Sequence, residues 1–413
     1  MVLINWIYLI FLTFLLILNR GGAAIGVDNI NTVSMMLAIS PLYLFKSFKY
    51  LNFKDDFFLV FFVFLTSTIA ILKSIILGIS AESFRECAIL LYPLTIFAGF
   101  YFTIDSKKIL DLFKYLNFIF FIAIVNGLLS PFIKSFFTNT IIINETSLFG
   151  IYGNYPYITL LAFCWFSSGI NSKINKGLFS ILSAAASLIS GSRAAMIGII
   201  VAFITSYRNS IFRNLNLKKI INSILFLIIF LIIIFLIFPL FNSFDSNYRG
   251  DYSFNYFWNS FLSIFNPLAG YEEYGTSLLG SRQHRIVMII QAIFATTSQS
   301  NFFLFGLPFD YNYTETYFND PHNGYVSLFA RGGIFVLTSF LFLLTTFIKK
   351  ISSLKYENKT IGIRNFSITF SILSLIYIAL HTVLTSPMIA IPFYFLLGFV
   401  WALNSKRVRN LLV

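Results

Sequence analysis

The sequence predicts an all-α polytopic membrane protein of about twelve transmembrane helices, with one large outer loop between the ninth and tenth. Three observations predict it. Hydrophobic residues make up 58% of the 413-residue chain and charged residues 11%, against roughly half and a quarter in an ordinary globular chain. Apolar runs of bilayer-spanning length recur from one end of the chain to the other. Basic residues gather in alternate segments between those runs. There is too little charge to cover a soluble surface, and more apolar sequence than a core of this size can hide.

A spanning helix needs about 20 mostly apolar residues. Such runs lie near 3–19, 30–47, 57–77, 88–104, 115–133, 148–168, 177–190, 194–207, 220–241, 325–348, 366–382 and 386–404. No Lys or Arg precedes the first run and no clear cleavage site follows it, so it reads as a span and not a cleaved leader. The seventh and eighth runs are short and separated by Ser190-Gly191-Ser192-Arg193, which predicts a tight hairpin. The chain then divides into spans one to nine at 1–241, a loop at 242–324, and spans ten to twelve with a short cytoplasmic tail at 325–413.

Basic residues choose the orientation. With a cytoplasmic N-terminus, the inner segments 46–56, 105–114, 169–176, 208–219, 349–364 and 406–409 hold 20 of the 29 Lys and Arg. Most of the formal charge of +13 is therefore a topology signal, and no nucleic-acid partner is expected. The loop at 242–324 is far longer than any other outer segment. Loops of that length without repeats are usually functional, so it is expected to fold as a cap with amphipathic helices.

The remaining nine basic residues differ in type. The inner segments use 15 Lys and 5 Arg, whereas the rest are Arg20, Lys73, Arg85, Lys134, Arg193, Arg249, Arg282, Arg285 and Arg331. Orientation needs positive charge alone and gives no reason for that switch. A guanidinium presents a planar fork that grips phosphate oxygens bidentately and stays charged near a low-dielectric boundary. The group points to a site for a phosphorylated or pyrophosphorylated ligand. The competing reading is a scatter of interface arginines paired with Glu82, Glu86, Asp251 or Glu272.

Arg193 is the sharpest case, a charge in a small-residue turn between apolar helices, and such residues are functional candidates by default. A snorkelling interfacial Arg is the alternative. Arg282 and Arg285 stand three apart in Gly280-Ser281-Arg282-Gln283-His284-Arg285, on one face of an expected helix with Ser281 as its N-cap. The apolar residues 286, 287, 289, 290, 293 and 294 make that helix lie on or enter the membrane domain. A basic amphipathic helix resting on headgroups is its rival reading. His322, in Asp320-Pro321-His322-Asn323-Gly324-Tyr325, sits where the loop re-enters span ten and could act as general base toward a hydroxyl, or pair with Asp320 at the surface. His381 reads as packed inside a span and His284 as a passive neighbour. Cys87 and Cys164 give neither a disulfide framework nor a metal site, and no metal or nucleotide motif is visible.

Three patterns then coincide in order: Ser190-Gly191-Ser192-Arg193 opening a span, Gly280-Ser281-Arg282 at an outer helix, and His322-Asn323-Gly324-Tyr325 followed by Gly332-Gly333. With the long loop between them, they resemble the O-antigen polymerase and O-antigen ligase superfamily over 186–345. The resemblance implies a GT-C-like, metal-independent glycosyltransferase of the bacterial inner membrane, with no cofactor and its active site facing the periplasm. The donor it implies is a glycan on undecaprenyl pyrophosphate. The acceptor is a second lipid-linked repeat unit in a polymerase, or the lipid A core in a ligase. A chain-length regulator and the surrounding membrane lipids are the further partners. By matched position, Arg193 and Arg282 would bind the pyrophosphate and His322 would activate the acceptor hydroxyl. Arg85, Arg249, Arg285, Arg331, Asn323 and Tyr325 are carried as substrate-binding candidates. Ile286 and Gly306-Leu307-Pro308 stand where the family has an aromatic and a Gly-x-Gly, so Arg282 and Arg285 both stay open as the main pyrophosphate ligand. Tyr248, Tyr252, Tyr256, Trp258, Tyr271, Tyr274, Tyr311 and Tyr313 could stack on sugars or form the core of the loop. The polymerase is preferred over the ligase. A twelve-span flippase would show two similar halves and helices broken at the midplane, and no internal repeat is seen. A peptidoglycan-type polymerase is a third option, disfavoured because its expected catalytic Asp has no clear counterpart in this sequence.

Overall fold

The computed structural model describes residues 2–17, 29–77, 81–138, 155–170, 176–189, 193–208, 276–309, 311, 321, 323–352, 361–380, 383–405 and 408. Among these every regular element is helical. In chain order they are α1 (Val2–Ile17), α2 (Asn29–Phe48), α3 (Phe53–Leu77), α4 (Ala81–Leu91), a 3-10 turn (Tyr92–Leu94), α5 (Thr95–Ile104), α6 (Ser106–Thr138), α7 (Tyr155–Ser168), α8 (Lys176–Ile189) and α9 (Arg193–Arg208). After the gap follow α10 (Thr276–Thr297), α11 (Ser300–Phe305), α12 (Gly324–Ser352), α13 (Ile361–Leu380) and α14 (Pro387–Leu403). Among the described residues, five stretches are long and apolar enough to cross a membrane: Phe53–Ile76, Glu86–Ile104, Asp111–Leu128, Gly324–Ser352 and Ile361–Leu380. The other apolar helices are shorter, and the run at 220–241 lies outside the described residues. The chain is thus a multi-pass helical membrane protein.

Two compact units share the chain. The first joins Met1–Asn117, His284–Thr360 and Ile378–Val413. Its centre is the crossing of α5 with α14. Gly99 and Gly398 lie where a β-carbon would collide with the facing backbone of Phe395 and Ile96 respectively. In lipid no hydrophobic force drives helices together, so close backbone approach through small residues supplies the packing. Around the crossing, Tyr8, Tyr43, Phe102 and Phe395 form a ring cluster with centroids 5.1–6.3 Å apart. One end of this unit is tied by Asp56, which is buried. Asp56 Oδ1 accepts from Lys350 Nζ at 2.9 Å and from Trp401 Nε1 at 2.7 Å, joining the start of α3 to the ends of α12 and α14.

α10 and α11 belong to this unit from His284 onward, and α10 packs inside out. Met288, Ala292 and Thr296, spaced four apart, are its buried positions. Ala292 joins Leu307 and Ala330 in a small core flanked by Ala295, Phe302 and Val326. Ile286, Val287, Ile290, Ile293 and Phe294 face outward, Phe294 with 71% exposure. Apart from Met288, small residues face protein and most of the large apolar ones face away, an arrangement suited to lipid on the outer side. Residues 286, 287, 290, 293 and 294 therefore do not form the protein-packing face of this helix.

The second unit comprises Phe118–Gln283 and Ile361–Tyr377. Trp165 of α7 lies between Phe120, tilted at 5.8 Å, and Phe366, edge-on at 5.2 Å. Tyr157 meets Tyr377 at 5.0 Å, and its hydroxyl shares a 2.9 Å hydrogen bond with Ser374. α8 buries Ser180, Ser183, Ala184 and Ser187, with Ser187 bonded to Thr159 at 2.6 Å. Small and hydroxylated residues thus form the α7–α8 seam, and Gly198 brings α9 against Leu160 and Leu373.

Candidate functional site

The site is built from the start of α12 outward. Asn323 is the N-cap: its Oδ1 accepts from the backbone N–H groups of Tyr325 and Val326, both at 3.1 Å. These are two of the four N–H groups that a helix start leaves without a ladder partner. Its Nδ2 donates at 2.9 Å to the carbonyl of Ala379, near the end of α13. Gly324 follows because a β-carbon there would press on Ile378 and Leu384. Tyr325 is half-buried with its ring 6.2 Å from Phe340. The Asn-Gly-Tyr run is therefore a docking of the helix start. Pro321 on the other side of position 322 is buried.

Nine residues later the helix breaks. Gly333 has φ 69° and ψ −170°, a conformation open to glycine and strained for other residues. A second left-handed glycine lies against it: Gly306, φ 84°, ends α11. A β-carbon on Gly306 would strike the backbone of Arg331 and Gly332, and one on Gly333 the backbone of Leu304 and Phe305. The break deprives the preceding carbonyls of their helical donors. Ala330 O accepts instead from Leu307 N–H at 2.7 Å, and Arg331 O from Lys73 Nζ at 2.6 Å. Lys73 Nζ also donates to Leu307 O at 2.7 Å and lies 5.4 Å from the centre of the Phe309 ring.

The Arg331 side chain is 8% exposed and points to Glu86 on α4. Its Nε donates to Oε2 at 2.5 Å and its Nη2 to Oε1 at 3.2 Å, a bidentate fork. This is the geometry the sequence offered for phosphate, directed here at a carboxylate, and Glu86 is among the partners the competing reading named. Lys73 and Gly306 are the residues that sequence reasoning left without a role. Their signals were a lysine within an apolar span and a glycine just past a helix end.

The other candidates are placed by backbone. Arg193 is the first residue of α9, four residues beyond the end of α8, in the second unit. Arg282 and Arg285 lie within α10, and Arg85 within α4. α10 begins at Thr276, so Ser281 is interior and does not cap it. Arg282 accordingly stands in the second turn, beyond the first turn where a helix dipole acts on an anion. His322, Arg249, His381 and the Ser190–Ser192 turn lie outside the described residues, as do the loop aromatics apart from Tyr311. Tyr311 packs edge-on to Phe302 at 5.8 Å.

What these elements define is a multi-pass membrane protein with a broken span held at its break by a buried ion pair and a lysine. Residues 178–341 match the family described as O-antigen ligase. The match supports the likeness to the O-antigen polymerase and ligase superfamily over that stretch of the chain. It covers α8 to the first half of α12, and so includes Arg193, Arg282, Arg285, the 322–325 run and both left-handed glycines Gly306 and Gly333. No curated protein matches the chain.

Proposed function

We propose that this chain polymerises undecaprenyl-pyrophosphate-linked repeat units into O-antigen or a related surface polysaccharide, without a metal, at the periplasmic face of the inner membrane. The observation that carries the reading is the family match over 178–341, the stretch that holds the Arg193, Arg282 and His322 patterns in order. In the proposed step the acceptor hydroxyl attacks the anomeric carbon of the donor glycan. A new glycosidic bond forms, the bond to the pyrophosphate breaks, and His322 takes the hydroxyl proton. Undecaprenyl pyrophosphate departs as an anion held by Arg193 and Arg282, with Arg285, Arg85 and Arg249 along the substrate path. Preorganised cationic donors aimed at developing charge supply the stabilisation, and losing one costs about 3–4 kcal/mol.

Twelve spans with the inner loops cytoplasmic remain the topology of this reading, and the contact pattern supports its sidedness. Asp56, Lys350 and Trp401, assigned inside, meet one another, and so do Lys73, Glu86 and Arg331, assigned to the outer ends. The description of the matched family favours a second reading, transfer of finished glycan to lipid A core. A deletion strain examined for surface polysaccharide separates them. A single repeat unit on the core supports the polymerase; unattached lipid-linked polymer supports the ligase. Normal surface polysaccharide would overturn both.

A further inference from the structure

We propose that Arg331, Glu86 and Lys73 form a positioning device that fixes the break in α12, and that Arg331 serves the reaction through this hold and not as a ligand of the lipid diphosphate. The inference rests on the glycosyl-transfer reading above. Both Glu86 oxygens receive the Arg331 fork, and the Arg331 side chain is 8% exposed. The backbone carbonyl of the same residue accepts from Lys73, which also holds Leu307. One point therefore gathers α3, α4, the segment after α11 and the broken turn of α12.

The need for such a point follows from the break. Carbonyls in the turn before Gly333 lose the N–H groups that an unbroken helix would bring them. Buried carbonyls without a donor are costly, and a peptide N–H and a lysine reaching from α3 replace the lost bonds. Residues 324–332 become a short rod clamped at both ends: Asn323 to Ala379 at the start, Lys73 and Glu86 at the finish. Position 322 is joined directly to the start of that rod. A slip at Arg331 moves the rod, and with it the residue that must meet the acceptor hydroxyl. A displacement of 1 Å at a reacting group is enough to cost about 100-fold.

The test uses the purified full chain and the lipid-linked repeat unit extracted from the deletion strain. Arg331→Gln should lower kcat roughly 10- to 100-fold while KM stays within about threefold, the signature of a misplaced catalyst and not of a lost ligand. The double variant Glu86→Gln/Arg331→Gln, with a neutral pair and no uncompensated carboxylate, should recover kcat to within about threefold of wild type. A double variant as poor as Arg331→Gln, or a KM raised with kcat intact, would overturn the proposal and make Arg331 a ligand. A second arm needs no activity. Amide exchange in Lys73→Met should rise at least about tenfold over 306–309 and 331–336, the segments whose bonds Lys73 completes. Unchanged exchange there defeats the hold. If the wild-type chain transfers no sugar while exchange rises as expected, the hold stands and the glycosyl-transfer reading falls.

Discussion

Asn323 illustrates how one side chain can look like a ligand and act as a fastener. Its amide is engaged at both ends, by two N–H groups of its own helix and by a carbonyl 56 residues away. Asn323→Ala should lower stability by about 1 kcal/mol, the usual cost of a lost cap. Asn323→Asp keeps the acceptors and loses the donation to Ala379, so thermal unfolding should place it between wild type and Ala. The sequence marked this run as the place where the loop re-enters span ten, but the carbonyl that Asn323 reaches sits on a distant helix that no local pattern reveals. The same holds for Arg331: residue type identified a fork, and packing chose a carboxylate for it. For the proposed chemistry, Arg193→Ala, Arg282→Ala and His322→Ala should each cut long polymer about 100- to 1000-fold while the protein still inserts. Arg193→Lys should rescue poorly, because a point charge lacks the fork. Wild-type ladders from the His322 variant would sink its role as base.

At the scale of elements, apolar runs gave helix positions because length and composition alone decide whether a segment can span a bilayer. Interruptions were harder to read. The 88–104 run carries a 3-10 turn at Tyr92–Leu94 where Pro93 removes a helical donor. α12 looked continuous, yet it breaks at Gly333 because Gly306 brings a second backbone against it. Gly332-Gly333 was visible as a pair, but its partner 27 residues earlier was not, since a backbone crossing leaves no periodic trace. Gly333→Ala and Gly306→Ala should each destabilise the first unit by at least 1–2 kcal/mol, from a forced left-handed backbone together with a steric collision. A melting temperature unchanged in both would show that the crossing is loose.

Across the whole molecule, charge is sorted to the ends of the first unit. Asp56 with Lys350 marks one end and Glu86 with Arg331 the other, and each ties helices far apart in sequence. Removing one partner of a buried pair leaves the other uncompensated, so Asp56→Ala should cost about 3–5 kcal/mol, read as loss of folded protein in membranes. Cysteines at exposed positions near Lys54 and near Ser80 should react with an impermeant thiol reagent from opposite sides of the bilayer; labelling from one side would refute the topology. The outward face of α10 carries a consequence of its own. A helix counted with the long loop presents Ile286, Ile290 and Phe294 away from its protein neighbours. On the proposed reading, the greasy substrate tail has this face as a wall to travel along, and a photoreactive isoprenoid should brand those three side chains first.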